Sequence, residues 1–102
     1  MLGMNIPTYG IGNIEAPFSY LKAVLGKPNE FYGDVYKSDA QWTIFIQSDP
    51  IIVAKVYNYK NGKNYLGEEG REIEHITYWN VGGNDREKVK AYIYKRLGIH
   101  VE

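Results

Sequence analysis

The sequence predicts an α+β fold, a single small domain over residues 1–102 in which an antiparallel three- to four-stranded sheet carries two helices on one face. Three observations predict it. Apolar residues recur at helical spacing in two stretches, Phe18-Leu21-Leu25 and Val89-Ile93-Leu97. Between them, residues 41–47 (QWTIFIQ) and 51–59 (IIVAKVYNY) are rich in β-branched and aromatic side chains and are parted by the breaker Ser48-Asp49-Pro50. Finally, 102 residues suffice for a modest core without disulfide or metal staples, and the chain has no cysteine.

Each element can be justified in chain order. Thr8-Tyr9-Gly10-Ile11-Gly12-Asn13 reads as a glycine-punctuated lead-in, followed by a first helix with Pro17 in its first turn, where a missing N–H costs little. Gly26 and Pro28 stop that helix. The two β-rich runs form a hairpin, and a third strand is expected over Glu74–Val81, where Ile76 and Tyr78 alternate with Thr77 and Trp79. The segment Lys60–Arg71 is longer than a hairpin needs, and long loops inside compact domains are often functional. After Gly82-Gly83, Asn84 is the expected cap of a second helix with Glu87 in the box position; Lys95 and Arg96 suit its C-terminus and Gly98 ends it. With both helices on one face, aromatic residues on the other leave an apolar patch, which predicts a homo-oligomer.

Composition narrows the function. Twelve basic and twelve acidic residues give a formal net charge of zero, so no long-range field draws the protein to genomic nucleic acid. No apolar run reaches the roughly 18 residues a membrane span requires, and the N-terminus lacks the pattern of a secretory signal, so an intracellular protein is expected. Ten tyrosines, two tryptophans and eleven glycines suggest aromatic surfaces beside tight backbone, although strands also use tyrosine in ordinary packing.

Catalytic and metal-binding patterns are not found. His75 and His100 have no second ligand at metal spacing, no serine sits in a nucleophile elbow, and Glu68, Glu69, Glu72 and Glu74 lack the order of a calcium loop. No cofactor is implied. Gly10-Ile11-Gly12 resembles a phosphate loop only weakly, lacking a third glycine and a preceding strand. Two segments carry more chemistry. Tyr57 to Tyr65 mixes aromatics, amides and lysines, and Trp79-Asn80-Val81-Gly82-Gly83 places an indole before a glycine pair that feeds a helix N-terminus. Lysines neutralise phosphates and Asn amides pair with purine edges, so these groups suit a nucleotide. Trp79 reads equally as a core residue, and Gly82-Gly83 as a turn.

Taken in order, Thr8-Tyr9…Gly12, the Phe18…Leu25-Gly26-Lys27-Pro28 helix ending, the Asn58-to-Tyr65 loop and Trp79-Asn80-Val81-Gly82-Gly83 resemble a widespread group of small bacteriophage proteins. They are similar to the viral anti-CBASS sponge proteins, which sequester cyclic nucleotide signals of bacterial immunity. The resemblance implies a homo-tetramer in the host cytoplasm that binds a cyclic dinucleotide or related cyclic oligonucleotide, such as 3′,3′-cyclic GMP-AMP, between subunits without cleaving it. Carried over by position, the pocket takes Thr8, Tyr9, Gly12, Asn58, Lys60, Asn61, Lys63, Asn64, Trp79, Gly82 and Gly83. Lys60 and Lys63 would meet phosphate, Tyr9 and Trp79 would wall the bases, and the amides would select among purines. Val56 and Val81 stand where the group usually has isoleucine, and Tyr9-Gly10-Ile11 replaces a serine and a larger apolar residue, which leaves ligand preference open. The rival class is an interaction module docking on a host protein through an aromatic surface. An enzyme is third, with His75 and His100 the obvious acid–base candidates.

Overall fold

The computed structural model describes residues 7–28, 40–59 and 61–102. They form four strands and three helices in the order β1 (Tyr9–Glu15), α1 (Phe18–Leu25), β2 (Gln41–Ile46), β3 (Ile52–Tyr57), α2 (Lys63–Leu66), β4 (Tyr78–Gly83) and α3 (Arg86–Leu97). The sheet is antiparallel throughout, with strand order β1-β4-β3-β2, so the expected α+β architecture is what the chain adopts.

The fourth strand is β1, built from the residues read as a lead-in. Its glycines look like loop chemistry, but they answer to close approach. A Cβ on Gly12 would collide with the Glu102 carbonyl, because Asn13 and Glu102 exchange both backbone hydrogen bonds (3.1 and 2.9 Å) and lay the chain's end along the outer edge of β1. Between Gly10 and Gly12 the register with β4 slips at Ile11, a bulge that bends the strand.

Cross-strand partners share a face, so the ladder sorts the side chains. Ile14, Trp79, Val81, Ala54, Val56 and Trp42 point to the helix side and join Leu21 of α1 and Val89, Ile93 and Leu97 of α3 in one core. Gly83 is also on this side. A Cβ there would strike the Val53 carbonyl and lie 2.8 Å from Val89 Cγ2, so glycine is what lets α3 settle on the sheet.

The two tryptophans hold α1 from both ends. Trp79 Nε1 donates to the Ala16 carbonyl (3.0 Å) just before the helix, and Trp42 Nε1 donates to the Gly26 carbonyl (2.8 Å) just after it. Their rings meet edge-on at 5.5 Å, and Phe18 packs on both at 5.9 and 6.2 Å. Each indole therefore buries its large apolar area while its one polar group is satisfied. Tyr20 Oη donates to the Leu97 carbonyl (2.7 Å) and Arg96 to the Val24 carbonyl (2.6 Å), tying α1 to the end of α3.

Three local expectations differ from the structure. The strand expected over Glu74–Val81 begins only at Tyr78, because Glu72 to Ile76 is wound into a 3₁₀ turn by His75 N–H···O=C Glu72 (2.8 Å) and Ile76 N–H···O=C Ile73 (3.2 Å). Asp85, not Asn84, caps α3 by accepting from the Lys88 N–H (3.0 Å). Asn84 is engaged elsewhere, its amide accepting from Val53 N–H (2.8 Å) and donating to the Ile51 carbonyl (3.0 Å), which stitches the start of β3 to the end of β4. The long loop is folded locally into α2 and a 3₁₀ turn over Gly67–Glu69. Gly98 ends α3 in the left-handed region (φ 72°), as expected.

Candidate functional site

The residues singled out by sequence go to three places. Trp79 is fully buried in the aromatic core, with its N–H spent on Ala16, so it has no face to offer a ligand. Gly12 and Gly83 likewise serve packing, one against the chain's end and the other against α3. The pair Gly82-Gly83 belongs to β4 and is not a phosphate-binding turn. The N-terminus of α3 is also unsuited to an anion, since Asp85 caps it and Glu87 lies in its first turn.

The loop after β3 is the second place. Asn58 is fully buried and structural, its Oδ1 accepting from Ala40 N–H (3.0 Å) and its Nδ2 donating to Asn61 Oδ1 (2.9 Å). Arg71 N–H donates to the Asn61 carbonyl (3.1 Å), and Gly70 lies so close to Gly62 that a side chain there would collide with backbone. This closes residues 61–71 into a compact surface loop. Lys63 is paired with Glu72 across it (2.8 Å), with both side chains about half exposed. The lysine pulls the Glu72 carboxyl below the usual carboxylate range, first through the hydrogen bond and then through its charge. Lys60 and the side chain of Asn64 lie outside the described residues.

Thr8 and Tyr9 make the third place. Tyr9 opens β1 opposite Gly83, half exposed, and its carbonyl packs 3.0 Å from the position a Cβ of Gly82 would take. The loop leaves β3 at Tyr57, which pairs with Asn80, whereas Tyr9 sits beyond Gly82. Three residues of strand, about 10 Å, part them. Those of the expected residues that the structure describes therefore do not converge on a single pocket within one chain.

The register assembles a different set on the face that, among the described residues, carries no helix. One row runs across all four strands as Asn13, Asn80, Tyr57 and Gln41; the next runs Gly10, Gly82, Lys55 and Thr43. At the β2 end the face is closed, because Gln41 Nε2 donates to Thr43 Oγ1 (2.8 Å) and both residues are buried. Val53, on the same face by register, is buried as well, whereas Gly10, Glu15 and Tyr78 towards the β1 edge are exposed. The side chains of Asn13, Asn80, Tyr57 and Lys55 are half-buried and make no hydrogen bond or ion pair among the described residues. Gly82 admits the Tyr57 ring, whose Cε1 and hydroxyl lie 3.6 and 3.8 Å from the site a Cβ would occupy.

Burial pushes the Tyr57 phenol above its ordinary value, and Tyr59 adds to the effect, so Tyr57 is a neutral hydroxyl donor at physiological pH. The cluster thus offers one fixed positive charge, two carboxamides that both donate and accept, and one phenol. Chemically it can hold an anion beside a planar hydrogen-bonding ring. Among the described residues no group of three or more His, Asp or Glu side chains is placed to hold a metal, and no helix is long and apolar enough to cross a membrane.

Asn13 and Lys55 lie outside the segments the sequence singles out, while Asn80 and Tyr57 fall within them but not among the individual pocket residues. A signal for them was present. Lys55 is a charge in the middle of the apolar run Ile51–Tyr57, and period-two alternation puts it on one face with Tyr57. The partners across the ladder depend on register, which no local pattern supplied.

No family model, no curated protein and no solved structure matches this chain.

Proposed function

We propose that this protein is a non-catalytic binding protein that sequesters a small anionic ligand bearing nucleobases. The observation that carries the reading is the set of half-buried polar side chains without a hydrogen-bond or ion-pair partner among the described residues, Lys55, Tyr57, Asn80 and Asn13, at the centre of the helix-free sheet face. Half-buried polar groups lose part of their hydration and gain nothing from the protein in return, a cost that a bound ligand offsets. The lysine favours an anion and the amides a base edge.

The resemblance to the anti-CBASS sponge proteins narrows the ligand to a cyclic nucleotide signal such as 3′,3′-cyclic GMP-AMP, held intact by a phage-encoded homo-oligomer, a tetramer by that resemblance, in the host cytoplasm. A pocket shared between subunits fits the separation of the expected residues, since Tyr9 and the Asn58–Asn64 loop reach one ligand more readily from two chains than from one.

A second reading rests on Phe45 and Tyr78, which are 51% and 47% exposed. They stand on the same face by register and suit docking on a host protein. One experiment separates the readings: thermal melting of the protein against a panel of cyclic di- and trinucleotides, then heat denaturation and analysis of the released ligand. Sequestration predicts a rise on the order of 10 °C at a hundredfold excess over Kd, with the ligand recovered intact. A cleaved product would establish an enzyme, and no response to any nucleotide would favour the docking module.

A further inference from the structure

We infer that the helix-free face reads its ligand in a fixed orientation, with phosphate against Lys55 and the base edge against Asn80 and Asn13. This rests on the sequestration reading and assigns its site to residues outside the segments that carry the resemblance to known phage proteins, Asn80 excepted. Lys55 is the one cation the register places in the two central rows of the face, and it has no acidic partner among the described residues. The acid of the face, Glu15, lies opposite Tyr78 beyond the amide row, at the far side from Lys55. A phosphate is therefore attracted at one end and repelled at the other, which sets the direction of the ligand.

The spacing agrees. Gly82 pairs directly with Lys55, and Asn80 stands two residues along β4 from Gly82, a diagonal of roughly 7–8 Å between the lysine and the amide. Gly10 and Gly82 add no side chain of their own, and the Tyr57 ring lies over Gly82, between the lysine and the amides. Asn13 and Asn80 face each other directly and make no bond to each other, leaving two adjacent donor–acceptor edges for a base. Tyr57, neutral and leaning over Gly82, adds a hydroxyl donor and a ring face between the two ends.

The test is isothermal titration of 3′,3′-cyclic GMP-AMP, guanosine, adenosine and inorganic phosphate into the wild-type protein, Lys55→Met, Asn80→Ala and Lys95→Gln. Lys55→Met keeps the aliphatic stem, and Lys95 is an exposed residue of α3 that serves as control. Folding of each variant is checked by its melting temperature. Lys55→Met and Asn80→Ala should each weaken the cyclic dinucleotide about tenfold or more, with Lys95→Gln unchanged. Lys55→Met should also flatten the salt dependence, whereas Asn80→Ala should leave it as in the wild type. If the wild type binds the cyclic dinucleotide and both folded variants bind it within twofold, the assignment of this face is overturned while sequestration stands. If the wild type binds none of the four compounds, the sequestration reading falls and this inference with it.

Discussion

Replacing Trp79 decides whether this residue is a core member or a wall of a binding site. A tryptophan buries about 150–250 Å² of surface, worth roughly 4–6 kcal/mol at about 25 cal/mol per Å², and Trp→Ala changes in cores cost about 3–5 kcal/mol. Trp79 is fully buried between Phe18 and Trp42, so Trp79→Ala should fall in that range, enough to remove a large share of the stability of a domain this size. Trp79→Phe keeps most of the ring packing but leaves the Ala16 carbonyl without its donor, a loss of about 1–3 kcal/mol. Urea denaturation measures both, with Trp42 retained as the fluorescent reporter, and the change should appear in the midpoint with little change in slope. At urea-free concentrations where Trp79→Phe is folded, it should bind ligand as the wild type does. A Trp79→Ala variant that loses less than about 1 kcal/mol of stability yet loses binding would refute the core assignment.

The glycines make a paired prediction: Gly83→Ala should be strongly destabilising because its Cβ strikes the Val53 carbonyl, while Gly10→Ala, with nothing within 4 Å, should change the melting temperature little. Asp85→Ala should cost α3 about 0.5–2 kcal/mol through loss of its cap, measured by thermal melting, and Asn84→Ala should cost a comparable amount through β3 and β4 instead. The Glu72 carboxyl should titrate below the usual glutamate value by NMR and return to it in Lys63→Ala. Because its folded value is lowered, the link it makes across the loop is complete above the ordinary glutamate value and is lost as pH falls through the lowered one; an unchanged titration in Lys63→Ala would contradict the ion pair. Tyr57, whose value is raised, should ionise above the ordinary phenol value, with that late step absent in Tyr57→Phe, and its contribution to stability is present below the ordinary phenol value and lost as pH rises through the raised one.

The helices and the hairpin were legible because each carries its period in its own residues: Phe18, Leu21 and Leu25 in α1, Val89, Ile93 and Leu97 in α3, and the β-rich runs on either side of Ser48-Asp49-Pro50. What local pattern could not supply was contact between distant segments. Gly10 and Gly12 looked like loop glycines because the close neighbours of Gly12, Val101 and Glu102, lie some ninety residues away in the chain. Asn84 looked like a cap because its hydrogen bonds to Ile51 and Val53 depend on how β3 meets β4. The same limit shaped the site. Lysines and amides concentrated in the Asn58–Asn64 loop are conspicuous in sequence, yet Asn58, Asn61 and Lys63 satisfy one another or Ala40 and Glu72. Asn13, Asn80, Tyr57 and Lys55 are scattered over three strands and become neighbours only through register.

On the reading proposed, the helix-free face binds a nucleotide-type anion. Amide NMR of the uniformly labelled protein, titrated with 3′,3′-cyclic GMP-AMP, addresses it most directly. Binding on this face should cluster the largest shifts at Gly10–Asn13, Lys55–Tyr57 and Asn80–Gly82 and leave the ligand intact. Shifts confined to α1 and α3, or no shifts at saturating ligand, would contradict it.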